Sequence, residues 1–463
     1  MKSILADNIV AISTPPGKGA IGIVRLSGPH AIRIAGFLLG GGAGKPLDAR
    51  ATHTLQRAQL AHDGVYLDDA LVAVMKSPRS YTGEDMVEFH CHGNPLVLAG
   101  VVGACLKEGA RGALPGEFTR RAFLNGKIDL SQAEAVAGII EASSGRALEL
   151  SMRQAGGELS RRVARLMAGL LDIRAEIEAR LEFPEEEIED DSGEGHSFAL
   201  LRAAVECRAL ITAQTEGMRI RDGVRVAIIG KPNAGKSSIF NRLLRAERAI
   251  VTPEKGTTRD SIEETVMLDG MAVTLVDTAG ICRDHGDEAG KAGVARSMAA
   301  VDLADFLLFI ADASVPWSGE DHEITARSKG KRGLLVLNKA DLPRRMELED
   351  RPGELSAWKA LWVSAMRGDG IEDIKKYIIG YNNTLYGESA EESAIVCSAQ
   401  QSDALHRCDD GIQSALELSK QGGQEELVSM ELKKALDALE AITGENADEE
   451  LLDRIFSRFC IGK

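Results

Sequence analysis

The sequence predicts a multidomain chain of α/β plus α class, with an α+β domain first and a helical domain interrupted by a second α/β domain. Three observations carry this. A chain of 463 residues is too long for one hydrophobic core and implies several domains. Its first stretch alternates short β-like runs with amphipathic segments, and near residue 120 the composition turns to Ala, Leu, Glu and Arg at helical spacing. From about residue 221 to 379 an α/β pattern returns, with helical sequence on both sides of it.

In residues 1–120 the runs "NIVAIS", "AIGIVRL", "ALVAVMK" and "MVEFHCH" read as strands, because they are β-branched or alternating and Gly and Pro punctuate them. Residues 121–220 read as helix, from "LSQAEAVAGIIEASSGRALELSMRQAGGEL" to "LDIRAEIEARLEF". Pro184 and the acidic run "EEEIEDDSGEG" then make a solvated turn, and another helix spans about 197–218. "DGVRVAIIG" opens the separate domain at 221–379. Helical sequence resumes over 380–463 with "SAQQSDALHRCDDGIQSALELSK", "ELVSMELKKALDALEAITG" and "ADEELLDRIFSRF". Helices on both sides suggest one helical domain with a second domain inserted, which is tolerated where a domain's own ends lie close together.

Composition narrows the functional classes. Hydrophobic residues make up 44% of the chain, enough for real cores, yet no run of about 18 uncharged apolar residues predicts a membrane helix. Asp7 interrupts the short apolar stretch of the N-terminus, which argues against a signal peptide. The seven cysteines, at 91, 105, 207, 282, 397, 408 and 460, are odd in number and lack CxxC spacing. They read as reduced thiols of a cytoplasmic protein, neither a disulfide framework nor a zinc knuckle. A net charge of −15 repels nucleic acid over most of the surface, so such a partner needs a local basic patch or a helper protein. "LSRRVARL" carries Arg161, Arg162 and Arg165 and reads as a solvated helix face. In "HCH" the side chains of His90 and His92 share one strand face while Cys91 points away, which reads as packing and not as metal ligation. Cys460 stands fourth from the last residue, but Gly462 and Lys463 fit a prenylation signal poorly.

"VRVAIIGKPNAGKSS" is a strand, a glycine loop and a helix start with the spacing G-x-x-x-x-G-K-[ST]. Gly230 and Gly235 let backbone N–H groups curl around phosphates, Lys236 brings a positive charge, and Ser237 offers its hydroxyl to Mg²⁺. Further motifs follow in order. "VTLVDTAG" ends a strand with Asp277, placed for the Mg²⁺ shell, and Gly280 can approach a γ-phosphate. "LLVLNKAD" supplies Asn338, Lys339 and Asp341, whose carboxylate can accept from guanine's N1–H and exocyclic amine. "VSAMRGDGI" supplies Ser364 and Ala365, whose loop can cover the guanine 6-oxygen. Thr258 in "GTTRD" is the switch threonine for Mg²⁺ and γ-phosphate. The domain at 221–379 is therefore read as GTP-binding, with contacts at Asn233, Ala234, Gly235, Lys236, Ser237, Ser238, Thr252, Thr257, Thr258, Asp277, Thr278, Ala279, Gly280, Asn338, Lys339, Asp341, Ser364 and Ala365. Ile281 follows D-x-x-G where Ras-like proteins have a water-orienting glutamine, so hydrolysis needs help from elsewhere.

These motifs, the inserted position and the terminal "FCIGK" together resemble the MnmE (TrmE) family of tRNA modification GTPases. "TPPGKGAIGIVRLSG", "YTGEDMVEFHCHGNP" and "PGEFTRRAFLNGKIDLSQAEAV" extend the resemblance over essentially the whole chain. It implies an N-terminal folate-binding domain that also makes a homodimer, a helical domain, and an inserted Ras-like P-loop GTPase domain. It further implies a heterotetramer with the flavoprotein MnmG, acting on carbon 5 of the wobble uridine of certain tRNAs. The one-carbon unit would come from a tetrahydrofolate derivative, in the 5-formyl or 5,10-methylene form.

By motif position the folate contacts fall on Arg25, Glu88, Lys127 and Lys463; a strand salt bridge is the alternative for Arg25 and Glu88. The resemblance also implies K⁺ beside the phosphates, held by Asn233, Thr252, Glu254 and Thr257, although Lys255 puts a positive charge nearby. Gly290 occupies the place of the family's water-orienting glutamate; either Glu288, between the loosening glycines 286 and 290, replaces it in catalysis, which is the favoured expectation, or hydrolysis is slow. Cys460 would face the folate chemistry either as a nucleophile or as a packing residue, with Arg458 and Lys463 to make its surroundings electropositive. Two other functions share part of this pattern. One is a regulatory GTPase of the ribosome-assembly kind, and the other is a folate-dependent transferase with a remnant G domain.

Overall fold

The computed structural model describes residues 7–39, 47, 51–142, 144–182, 194–246, 262–277, 300–326, 328–390, 394–395, 398–421 and 425–463. The chain begins with strands β1 (Asn8–Ile12) and β2 (Ile21–Ser27), helix α1 (Ala31–Phe37), strands β3 (Thr54–His62), β4 (Val65–Met75) and β5 (Met86–His92), helix α2 (Pro95–Lys107), strand β6 (Ala110–Gly112) and helix α3 (Glu117–Leu124). The strands form one sheet in the order β3-β4-β5-β2-β1-β6, antiparallel except for the β1–β6 pair. Four of these strands are the runs read from the sequence; β3 and β6 are additions, and β3 is joined to β4 by an Asp63-Gly64 turn with positive φ at both residues.

Alternation divides this sheet into two faces. Val24, Leu26, Val87, Phe89 and Cys91 turn into a core shared with Ile34 and Ala35 of α1 and Leu98, Val101 and Cys105 of α2. Arg25, Glu88 and His90 therefore project from the opposite face, and register sets Arg25 directly across from Glu88. Asn94 caps α2 by accepting from the Leu96 amide at 2.9 Å, ahead of Pro95 in the first turn.

Four helices follow: α4 (Leu130–Glu141), α5 (Gly145–Ala155), α6 (Glu158–Glu182) and α7 (Glu194–Asp222). The buried positions of α6 are Leu159, Val163, Leu166, Leu170, Ile173 and Ile177, a 4-3-4-3-4 spacing that makes a narrow apolar seam. The next segment holds β7 (Val224–Ile229), α8 (Lys236–Ala246), β8 (Ile262–Leu268), β9 (Met271–Asp277), β10 (Phe306–Asp312), α9 (Gly319–Ala326), β11 (Gly333–Asn338), β12 (Lys359–Trp362) and α10 (Ile371–Ala390). Its sheet runs β12-β11-β10-β7-β9-β8 and is parallel except for the β8–β9 hairpin. β7, β10 and β11 are nearly continuous apolar runs because both faces are covered, each by its own hydrophobic cluster.

The chain closes with α11 (Ala399–Lys420), α12 (Glu425–Thr443) and α13 (Glu449–Phe456). Ser398 and Gln401 form a reciprocal capping box at the start of α11, and α12 packs against both α6 and α11. The contacts divide the chain into two compact units. One comprises residues 1–137, 154–207 and 398–463, the other 138–153 and 208–397. No helix among the described residues is long and apolar enough to cross a membrane.

Candidate nucleotide site and carboxy-terminal site

The phosphate loop leaves the buried strand β7 and enters α8 at Lys236. Asn233 takes a left-handed conformation, φ 61°, one that Asn tolerates better than most side chains. Gly235 has φ +97° and an added Cβ would stand 2.1 Å from the Nδ2 of Asn338, so neither its conformation nor its surroundings admit a side chain. Lys236 is buried and its ammonium donates to the carbonyls of Gly230 and Lys231, both at 2.7 Å. The Ser237 hydroxyl donates to the Asp277 carboxylate at 3.0 Å, which brings two hard oxygen donors together at the ends of α8 and β9. This pair suits Mg²⁺, and the curled loop with its ammonium suits a polyphosphate. Lys231 anchors the loop from outside by pairing with the fully buried Asp321 of α9 at 2.7 Å.

A cavity of about 740 Å³ runs from this loop to the ends of β11 and β12. Asn233, Gly235, Lys236, Ser237 and Ser238 line one end; Asn338, Lys339, Asp341, Leu342, Ala365 and Met366 line the other. Buried Asn338 ties the two ends together, donating to the Ala234 carbonyl at 2.9 Å and accepting from the Ala365 amide at 3.0 Å. Lys339 is left-handed, φ 61°, and its ammonium meets Asp312 at 2.6 Å. Ser364 donates to Asp341 at 2.6 Å. That bond, joined by a backbone amide and the nearby Arg367 and Lys339, outweighs burial and holds the Asp341 carboxyl below its ordinary value. Asp341 is thus kept as an acceptor, the form that pairs with an N1–H and an exocyclic amine. Thr252, Glu254, Thr257, Thr258, Thr278, Ala279, Gly280, Ile281, Glu288 and Gly290 lie outside the described residues.

In the other unit the chain terminus closes on the N-terminal sheet. The rings of Phe456 and Phe459 pack in a tilted pair, 5.4 Å between centres, and join Leu130, Ala133 and Leu452 in a small core. This fixes the last four residues against β1 and α3. The Gly462 carbonyl accepts from the Ser13 hydroxyl at 3.0 Å and from Nη1 of Arg25 at 3.3 Å. The Lys463 carbonyl accepts from the Phe118 amide at 3.2 Å, and the Cys460 carbonyl accepts from the Gly116 amide at 3.4 Å. Gly462, φ +95°, passes so close to β1 that a Cβ there would lie 2.3 Å from the Ile12 carbonyl.

Arg25 links this tail to the sheet. Its Nε donates to Glu88 at 2.9 Å, and the rings of Tyr81 and Phe118 each lie 5.6 Å from its guanidinium. The second oxygen of Glu88 meets His90 at 3.3 Å. Burial lowers the Lys463 ammonium below its ordinary value, the Cys460 thiol acts against this, and repulsion by Arg25 adds to it. Cys460 itself is exposed. Arg25, Glu88 and Lys463 therefore come together, and the strand ion pair is real. Lys127 is held elsewhere on the same unit, exposed, with its ammonium on the Pro78 carbonyl at 3.0 Å. It touches the segment that also carries Tyr81, and no contact joins it to the other three among the described residues.

A partly buried ion network ties α3 to Asp7, Glu84 and Arg111. Arg121 is fully buried and reaches Asp7, Glu84 and Glu117, while Arg111 reaches Asp7 and Glu117. Burial pushes the Glu117 carboxyl up, but Arg111, the Leu114 amide and Arg121 outweigh it and leave it below its ordinary value. In "HCH", His90 meets Glu88, His92 meets Asp68 at 2.7 Å, and Cys91 is buried with its thiol pushed up to about 12 by burial and Asp68.

Comparison with known proteins adds identity to this geometry. Residues 130–460 match the MnmE helical domain, and residues 8–127 match the family described as GTP-binding protein TrmE N-terminus. The chain is 43% identical to the tRNA modification GTPase MnmE of Roseiflexus sp. (strain RS-1), covering 99% of each chain. It is 39% identical to that of Thermotoga maritima and 40% identical to that of Moorella thermoacetica, covering 99% of this chain and 100% of each relative. This chain belongs to the MnmE family of tRNA modification GTPases.

For an MnmE-family chain the structure adds residues that the motifs did not single out. Ser13 and Phe118 receive the terminal segment, Tyr81 and Phe118 flank Arg25, and His90 joins Glu88. Tyr81 and Phe118 lie inside quoted family segments and Ser13 lies just before one, but nothing in the local sequence of Ser13 marks a partner 449 residues away.

Proposed function

We propose that this chain is the GTP-hydrolysing component of a cytoplasmic complex that modifies carbon 5 of the wobble uridine in certain tRNAs. The observation that carries the reading is full-length identity of 43% to a tRNA modification GTPase MnmE, in a chain with both a phosphate-loop cavity and a carboxy-terminal site. GTP would be held by the loop around Asn233–Ser238 and by Asn338, Asp341, Ser364 and Ala365. Mg²⁺ would be held by Ser237 with Thr258, and it would supply charge neutralisation at the phosphates. K⁺ would be held by Asn233 with Thr252, Glu254 and Thr257.

A tetrahydrofolate derivative would meet Arg25, Glu88 and Lys463, with Lys127 at the rim. The donor set supports this: cations for a glutamate tail and a carboxylate for an amidine-like edge. Bound there, the folate supplies the one-carbon unit. Arg25, close to the Tyr81 and Phe118 rings, orients the Glu88 carboxylate, and the buried Gly462 beside it covers one side of the guanidinium. A homodimer through the N-terminal domain and the flavoprotein MnmG complete the proposed complex. Glu288 is the proposed water-orienting residue.

Nucleoside analysis of tRNA from cells lacking this protein tests the reading. Loss of 5-carboxymethylaminomethyl-type wobble uridines is expected, and an unchanged nucleoside profile contradicts it. GTP turnover compared in KCl and NaCl at equal ionic strength tests the K⁺ site, since screening is then constant. Faster turnover in KCl is expected, and equal rates remove K⁺ from the account.

A further inference from the structure

On this reading base recognition depends on the loop after β12, where Ala365 packs into the domain core and the tip beyond it is exposed. Met366 is 82% exposed, so its side chain provides no apolar anchor. Beyond Ala365 the loop is held by hydrogen bonds. Ser364 accepts from the Arg367 amide at 3.1 Å and donates to Asp341. The Ala365 peptide is gripped at both ends: its N–H donates to Asn338 at 3.0 Å, and its carbonyl accepts from Nε of Arg242 at 2.8 Å. The same guanidinium reaches the next carbonyl, that of Met366, through Nη2 at 2.6 Å. Two adjacent carbonyls on one planar fork fix the orientation of the loop as well as its position.

Arg242 belongs to α8, the helix whose first residue is Lys236. Six residues along a helix span about 9 Å, so one rigid element carries the phosphate-facing ammonium at its start and the loop clamp further on. We infer that Arg242 is a positioning residue for guanine recognition, tying the 364–368 loop to α8 so that its backbone covers the 6-position of the base. The inference rests on the reading of the cavity as a guanine-nucleotide site.

Competition binding on the full chain tests it, with GDP, 6-thio-GDP and ADP displacing a fluorescent guanine nucleotide. 6-thio-GDP keeps the groups that face Asp341 and weakens only the acceptor at the 6-position. The wild type is expected to prefer GDP to 6-thio-GDP. Arg242→Ala is expected to weaken GDP about tenfold and 6-thio-GDP less, so that the preference narrows. Arg242→Lys keeps the charge but lacks the planar fork that spaces two donors for these carbonyls, and is expected to fall between them; it also carries the test should the alanine variant fail to fold. An equal loss for both nucleotides makes Arg242 a general stabiliser of the domain, and no loss makes it a surface residue; either overturns the inference. A wild type that does not prefer GDP to ADP overturns the guanine reading itself, whatever Arg242 does.

Discussion

At the nucleotide cavity the lining is the phosphate-loop backbone, Lys236 and Lys339, and short polar side chains held at the ends of one mostly parallel sheet. At the carboxy-terminal site they are long side chains and the last residues of the chain. The first is built within one stretch of sequence, and each part follows the strand that positions it: Gly230 after β7, Asp277 at the end of β9, Asn338 at the end of β11. The second joins Arg25 and Glu88 of neighbouring strands to Gly462 and Lys463, with 437 positions between Arg25 and the carbonyl it grips. A site of the first kind tolerates no change in its backbone and is specified by motif. A site of the second kind depends on the docking of a short tail, and two aromatic rings, four hydrogen bonds and one glycine conformation decide whether it exists.

The largest effect expected is at the cavity. Asp341→Asn replaces an acceptor by a group that offers a donor to guanine's own donors, and GTP affinity should fall at least about a hundredfold while xanthosine triphosphate binding improves. Titration with both nucleotides checks this, and unchanged GTP affinity would remove Asp341 from base recognition. At the tail a smaller change suffices. Gly462→Ala puts a Cβ 2.3 Å from the Ile12 carbonyl in a conformation that disfavours any side chain, so binding of 5-formyltetrahydrofolate should weaken about tenfold with GDP binding unaltered. Equal folate affinity in that variant would mean the tail docks without Gly462.

The difference between the regions also governs what could be read in advance. The phosphate loop and "NKAD" were legible because their chemistry needs fixed residue types at fixed spacing after an apolar strand. Arg25 and Glu88 were reached only through the resemblance, although period-2 alternation placed both on one face once β2 and β5 were paired. β3 was missed because "TLQRAQLAH" has too few apolar residues for a strand signal, and the Asp63-Gly64 turn beside it was the available clue. Arg242 carries no signal at all: an arginine on an amphipathic helix reads as solvated, and only the carbonyls beside it show otherwise. The network of Arg111, Arg121, Asp7, Glu84 and Glu117 is invisible for the same reason, since its members are scattered over more than a hundred positions.

That network gives the smallest effect and concerns the platform of the tail. The Glu117 and Asp7 carboxyls are lowered in the folded protein, with burial opposing and the arginines prevailing. Lowered carboxylates stabilise the fold above their ordinary values, 4.5 for Glu and 3.8 for Asp, and that contribution is lost as pH falls through the folded values. The gap in thermal midpoint between wild type and Arg111→Met should therefore be a few degrees at pH 6.5 and narrower at pH 3.5. A gap of the same size at both values would show that Arg111 acts through packing and not through charge.

The most direct test is calorimetric titration of 5-formyltetrahydrofolate and of GDP into the chain lacking its last four residues, Cys460 to Lys463. The tail-docking account predicts that folate binding is lost and that GDP binds as it does to the intact chain. Folate binding retained at full strength in the truncated protein would contradict it.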